Sequence, residues 1–131
     1  MSRNLKNQAT VEFLILFTLL LLGVAVATVI AYQKINEIQS QQTILDAENT
    51  LLTTAGSLDT AFIQGHGFET KAFLPDLVAG GNYNMTLYSS LLVLETRGFT
   101  ISRPTLVQNF TGSLKKGENS IKNSYGMIVI S

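Results

Sequence analysis

An uncharged apolar run of nineteen residues, from Phe13 to Ala31, constrains the fold of this chain more than any other feature. As an α-helix it would be about 28 Å long, close to the ~30 Å hydrocarbon thickness of a bilayer. The run therefore predicts one membrane-spanning helix. Arg3 and Lys6 precede it without an acidic residue, which predicts a cytoplasmic N-terminus and an extracytoplasmic remainder.

The helical pattern continues past the run without a glycine, a proline or a small-residue cleavage site, so we interpret the span as retained. No proline occurs before Pro75, and Gly65 and Gly67 are the expected stop. We therefore predict one long helix over residues 8–66, with residues 13–31 as the span. An apolar stripe for docking on a sheet is expected at Ile35, Ile38, Leu45, Leu52, Ala55 and Phe62, widened by Ile44, Leu51 and Leu58.

Residues 67–131 have a different pattern, in which turn residues recur between short β-branched and aromatic segments. The fold class is therefore α+β, with the long helix packed on a small C-terminal antiparallel sheet of four to six strands in a meander. The continuous run Leu91–Leu94 predicts a central strand buried on both faces. The expected strands are Tyr83–Tyr88, Leu91–Glu95, Phe99–Ser102, Thr105–Phe110 and Met127–Ile130.

Composition argues against several functional classes. Nine Lys and Arg residues balance nine Asp and Glu residues, which gives no basic surface for nucleic acid. The sequence has no cysteine, and its one histidine, His66, lies between two glycines and is expected to be a solvated loop residue. No residues have the spacing of a catalytic or metal-ligating set, so we expect neither an enzyme nor a cofactor.

Glu12 stands at the head of the apolar run, where a carboxylate needs a partner. An acidic residue at mid-bilayer costs about 2.5–3.5 kcal/mol on insertion scales, and less near the edge. Gly23, Ala27 and Ala31 repeat at four-residue spacing and would allow close packing of helices. The alternative is a plain N-terminal anchor, in which Glu12 has no special role.

Two tripeptides match the acceptor pattern for N-glycosylation. They are Asn84-Met85-Thr86 and Asn109-Phe110-Thr111, both in the segment predicted to be extracytoplasmic.

The residues Gln8-x-Thr10-x-Glu12-Phe13-Leu14 resemble the class III signal peptide of archaeal type IV pilins. Asn7 stands where that family usually has glycine, and Thr10 stands where it usually has serine. The proline-free helix followed by a small β domain is also similar to this family. So is the segment from Phe110 to Asn119, which resembles the end of many proteins with such leaders.

The resemblance implies that residues 1–7 are a leader cut between Asn7 and Gln8 by a prepilin peptidase. Glu12 would then pair with the new amine at Gln8 of a neighbouring subunit. The expected product is a major or minor pilin of an adhesion filament on the cell surface, anchored in the membrane before assembly. Its implied partners are copies of itself and an assembly platform with an ATPase. A TadE-like pseudopilin and a membrane-anchored binding domain that never polymerises remain as alternatives.

Overall fold

The computed structural model describes the backbone of residues 2–131 and the side chains of residues 8–131. Over that range the chain is α+β, with one long helix followed by short strands. The chain divides into two compact units, Met1–Ser40 and Gln41–Ser131. The elements are α1 (Ser2–Gln64), β1 (Glu69–Leu74), β2 (Tyr83–Tyr88), β3 (Leu91–Thr96), β4 (Thr100–Pro104), β5 (Phe110–Thr111), β6 (Gly117–Ser124) and β7 (Met127–Ile130).

The strands form two sheets rather than the single meander expected from the sequence. One sheet is the antiparallel meander β2-β3-β4, and the other has the order β1-β6-β7-β5. In the second sheet β5 pairs with β7 in parallel, through Phe110 opposite Ile128. The expectation of a purely antiparallel domain was therefore wrong at this edge.

In the second unit, α1 packs on the sheets through a face that contains small residues. Ala47, Ala55 and Ala61 are all buried and belong to the core. Burial of apolar surface in one shared core stabilises this packing at roughly 25 cal/mol per Å². The core comprises Ala47, Leu51, Ala55, Leu58, Ala61, Ala72, Leu74, Val78, Tyr83, Met85, Leu87, Leu92, Leu94, Val107, Ile121, Ile128 and Ile130.

The docking face of the helix differs in phase from the predicted stripe. Leu51, Ala55 and Leu58 are buried as expected, but Leu45 is 57% exposed and Leu52 is 45% exposed. The prediction was right for one edge of the stripe and wrong for Leu45 and Leu52, since the buried face continues through alanines and Thr54 instead. Thr54 satisfies its hydroxyl by donating to the carbonyl of Thr50 at 2.9 Å.

The end of α1 is held by one buried side chain of β6. The helix stops at Gln64, and Gly65 follows with φ of 83°, as the glycine pattern predicted. The last four carbonyls of a helix lack intrahelical partners. The Nδ2 of Asn123 donates to two of them, the carbonyls of Ala61 at 3.0 Å and Phe62 at 3.2 Å.

Three strand expectations from the sequence need correction. Thr105–Phe110 is not a strand for most of its length, because the amide of Leu106 donates to Asp59 of α1 at 2.8 Å instead of to a neighbouring strand. β1 and β6 were missed. Leu91–Leu94 does lie in the central strand of its sheet, but Leu91 is exposed, so only one face of that strand is fully buried.

Gly112, directly after β5, lies very close to the end of β7. Its φ is 92°, and a Cβ atom there would overlap the carbonyl oxygen of Ile130. We expect Gly112→Ala to lower the free energy of unfolding by at least about 2 kcal/mol, because backbone strain adds to the overlap. Thermal unfolding followed by circular dichroism would measure the change.

The matched control for that substitution is Gly98→Ala. Gly98 has no positive φ, and an added Cβ would meet nothing within 4 Å. Its change should stay within about 0.5 kcal/mol. Equal stability of the two variants would contradict the close approach at Gly112.

Candidate assembly site

The first unit presents an apolar surface on every side of α1. Large apolar side chains from Val11 to Ile38 are exposed, for example Leu16 at 67% and Leu22 at 63%. Within residues 8–131 this is one helix long and apolar enough to cross a membrane, and its most apolar window buries none of its surface in the protein. Such a helix is compatible with a membrane anchor or with a signal sequence.

The two threonine hydroxyl groups inside the apolar run Phe13–Ala31 are satisfied by the helix itself. Thr18 donates to the carbonyl of Leu14, and Thr28 donates to the carbonyl of Val24, both at 2.8 Å. An unsatisfied polar group in hydrocarbon costs several kcal/mol. With these bonds, neither threonine would add an unsatisfied hydroxyl if the apolar run lay in a bilayer.

Glu12 differs from the threonines because its carboxylate is exposed and has no cation beside it in residues 8–131. The ion pairs in that part of the chain are Lys34 with Glu37 and Lys71 with Glu118, both at exposed positions outside the apolar run. An ionised carboxylate is disfavoured in an apolar surrounding unless it is paired and hydrogen-bonded. Within the described residues, the partner that Glu12 needs is not supplied.

The small residues predicted for helix packing lie partly on the same side as Glu12. Eleven residues separate Glu12 from Gly23, which is about 20° from three full turns of α-helix. Gly23 has open space around it, since an added Cβ would meet nothing within 4 Å. Ala27 and Ala31 are exposed, and each lies progressively further around the helix. Glu12 and Gly23 therefore share a face, with the two alanines beside it.

The predicted cleavage junction lies at the edge of the described residues. Gln8 is helical and exposed, whereas the side chain of Asn7 lies outside the described residues. Nothing in the geometry tests whether a peptidase cuts there, so cleavage stays a prediction.

Both predicted glycosylation acceptors are at the surface. Asn84 is exposed on β2, an edge strand, and faces away from the buried side chain of Met85. Asn109 is exposed just before β5, and its carbonyl accepts the amide of Ile128 at 3.0 Å. The two side chains are accessible, and their modification stays a prediction.

No three His, Asp or Glu side chains among the described residues come together to hold a metal ion. His66 is exposed after the end of α1, and its ring stacks on Tyr125 with 3.8 Å between ring centroids. This pair was not foreseen. The turn at Tyr125 was visible in the sequence, but no local pattern could indicate a contact across 59 residues.

Comparison with protein-family models, with curated proteins and with solved structures found no match to this chain. The helix surface and Glu12 therefore have to be interpreted from their own chemistry.

Membrane insertion should depend on the middle of the run and not on Glu12. We expect Val26→Lys to reduce insertion, since a cation at mid-bilayer costs about 2.5–3.5 kcal/mol. Glu12→Gln removes a charge near the edge and should leave insertion at the level of the natural chain. Alkaline extraction of membranes from expressing cells would compare the two variants. Release of the Glu12→Gln protein together with Val26→Lys would contradict this assignment.

Proposed function

We propose that this chain is a structural subunit, major or minor, of an archaeal type IV-like adhesion pilus. It polymerises through its hydrophobic N-terminal helix after the leader is cleaved. The observation that carries the proposal is Glu12, a carboxylate without a partner in residues 8–131 on a helix surface that is otherwise apolar and exposed.

The chain begins in the membrane, with residues 13–31 in hydrocarbon and Glu12 near the interface. Lipid tails are as apolar as leucine, so exchanging lipid for neighbouring helices gives little hydrophobic free energy by itself. Close packing at small residues and specific polar pairs must then favour the assembled state. Gly23 and Glu12 share a face of the helix. Gly23 supplies the small residue for close packing, and Glu12 supplies one member of a polar pair.

Cleavage after Asn7 supplies the cation that Glu12 lacks. The amine freed at Gln8 carries a positive charge, and the cut removes the positive charges of Arg3 and Lys6. In a filament core both members of the pair lose their hydration, so a matched pair is tolerated and a lone carboxylate is not. Pairing with the neighbouring subunit would therefore also select the axial register of assembly.

The remaining parts of the proposal come from the resemblance to archaeal pilins. They are cleavage by a prepilin peptidase, assembly by a platform with an ATPase, and location in a filament on the cell surface. The unit Gln41–Ser131 would form the outside of that filament. The role is structural and involves neither catalysis, a cofactor nor nucleic acid.

The first test is the N-terminus of the natural protein in sheared surface material. We expect sequencing to give Gln8-Ala9-Thr10, because assembly needs the amine that cleavage creates. An intact Met1 in that material would favour the anchored binding domain, which needs no processing.

The second test is substitution of Glu12. We expect Glu12→Ala and Glu12→Gln to insert normally and to give at least about a hundredfold fewer filaments, since leaving one member of a buried pair alone costs about 3–5 kcal/mol. Electron microscopy of surface fibres, with immunoblots of membranes, would separate assembly from insertion. Glu95→Ala, at an exposed site on β3, is the control and should assemble normally. Filaments in natural numbers from Glu12→Ala would refute the pairing.

A further inference from the structure

The turn between β6 and β7 contains an unusual residue. Ser124 pairs with Met127, so Tyr125 and Gly126 form a two-residue hairpin loop. Their φ angles are 53° and 86°, the pattern of a type I′ turn. The first position of that turn favours Asn, Asp or Gly, and a tyrosine there has a strained backbone. The structure of the turn does not account for a tyrosine.

Burial does not account for Tyr125 either. Its side chain is 86% exposed, the highest value of any large apolar or aromatic side chain among the described residues. One face of its ring lies against the ring of His66, with 18° between the ring planes. The other face is open, and the flanking glycines Gly65, Gly67 and Gly126 have no side chains to cover it.

A hydrogen bond between the two residues holds this ring pair in place and determines which imidazole nitrogen remains a donor. The backbone amide of Tyr125 donates to Nδ1 of His66 at 3.2 Å. With Nδ1 as an acceptor, the neutral imidazole carries its proton on Nε2. The pair therefore combines a flat aromatic face, one N–H donor at Nε2 and the tyrosine hydroxyl.

We infer that His66 and Tyr125 form a binding platform for a pyranose sugar, as found in surface glycans. A pyranose ring has one face of C–H groups, whose partial positive charge matches the negative face of an aromatic ring. Its hydroxyl groups match the Nε2–H donor and the tyrosine hydroxyl. Because the stack already holds the tyrosine ring, little side-chain freedom is lost on binding. The inference does not depend on polymerisation.

A sugar fits this surface better than a protein partner does. A stable protein interface covers about 800 Å² on each side around a buried apolar anchor. The immediate sequence neighbours of the ring pair are glycines and Ser124, and the nearest exposed large apolar side chains in the sequence are Ile63 and Met127, too few for such an anchor with its surroundings. A small ring stacked on one tyrosine needs no wider surface.

Saturation-transfer NMR on the full chain would test the platform. The chain should be held in micelles whose detergent has no sugar headgroup, and the probes are the methyl pyranosides of glucose, galactose, mannose and N-acetylglucosamine. A single stack gives affinities near the millimolar range, so probe concentrations up to about 20 mM are needed. We expect saturation of sugar ring C–H protons for at least one probe, with glycerol as the negative probe.

Tyr125→Asn separates a binding role from a structural one. Asn-Gly is the favoured pair for this turn, so the variant should unfold at a temperature equal to or above that of the natural chain. Its saturation signal should fall at least fivefold, and His66→Ala should give a smaller loss. Tyr88→Ala removes another exposed tyrosine, 54% accessible on β2, and should keep the full signal.

Three results would overturn the inference. The first is no saturation of any probe by the natural chain, and the second is equal saturation by Tyr125→Asn. The third is a clear fall in unfolding temperature for Tyr125→Asn, which would mean that the tyrosine serves the turn. Concentration-dependent broadening of the Tyr125 ring signals without sugar saturation would instead identify a second copy of the chain as the occupant, and would also overturn it.

Discussion

The folded unit depends on the hydrogen bonds of Asn123. Its side chain donates to two carbonyls at the end of α1 and accepts the amide of Gly126 at 2.9 Å. Its backbone bonds Gly67 and Phe68, which connect the helix to β1. At 1% exposure each of these groups would otherwise be unsatisfied, at a cost of about 1–3 kcal/mol apiece. One side chain thus joins the helix end, the longest strand and the turn that follows it.

Features that depend only on residues close together in the sequence were predictable. The length of Phe13–Ala31 is enough to indicate a helix that is long and apolar enough to cross a membrane, and Gly65 is enough to indicate where α1 ends. β6 was not predictable, because Glu118, Asn119 and Asn123 have low strand propensity. Glu118 and Asn119 are held in the strand by pairing with β1, and Asn123 is held by pairing with β7. The docking face of α1 was predicted only in part, because counting large apolar residues leaves out Ala47, Thr54 and Ala61, which are buried.

The candidate sites divide in the same way. Glu12 was recognisable as a charge at the edge of an apolar run, and residues 8–131 give it no partner in the folded chain. The ring pair of His66 and Tyr125 could not be predicted, because its members are brought together by the end of α1 and the β6–β7 turn. A site that requires a second molecule can be recognised in the sequence, as a charged residue for which the chain offers no partner. A site whose members are brought together by folding can be recognised only in the structure.

Ala47 is the first residue of the chain to be buried in the described structure. No side chain from Gln8 to Asp46 is fully buried. The physical constraints on substitution therefore change near Ala47. Substitutions before Ala47 are limited by the surroundings of an exposed helix. Substitutions after it are limited by the stability of the folded core.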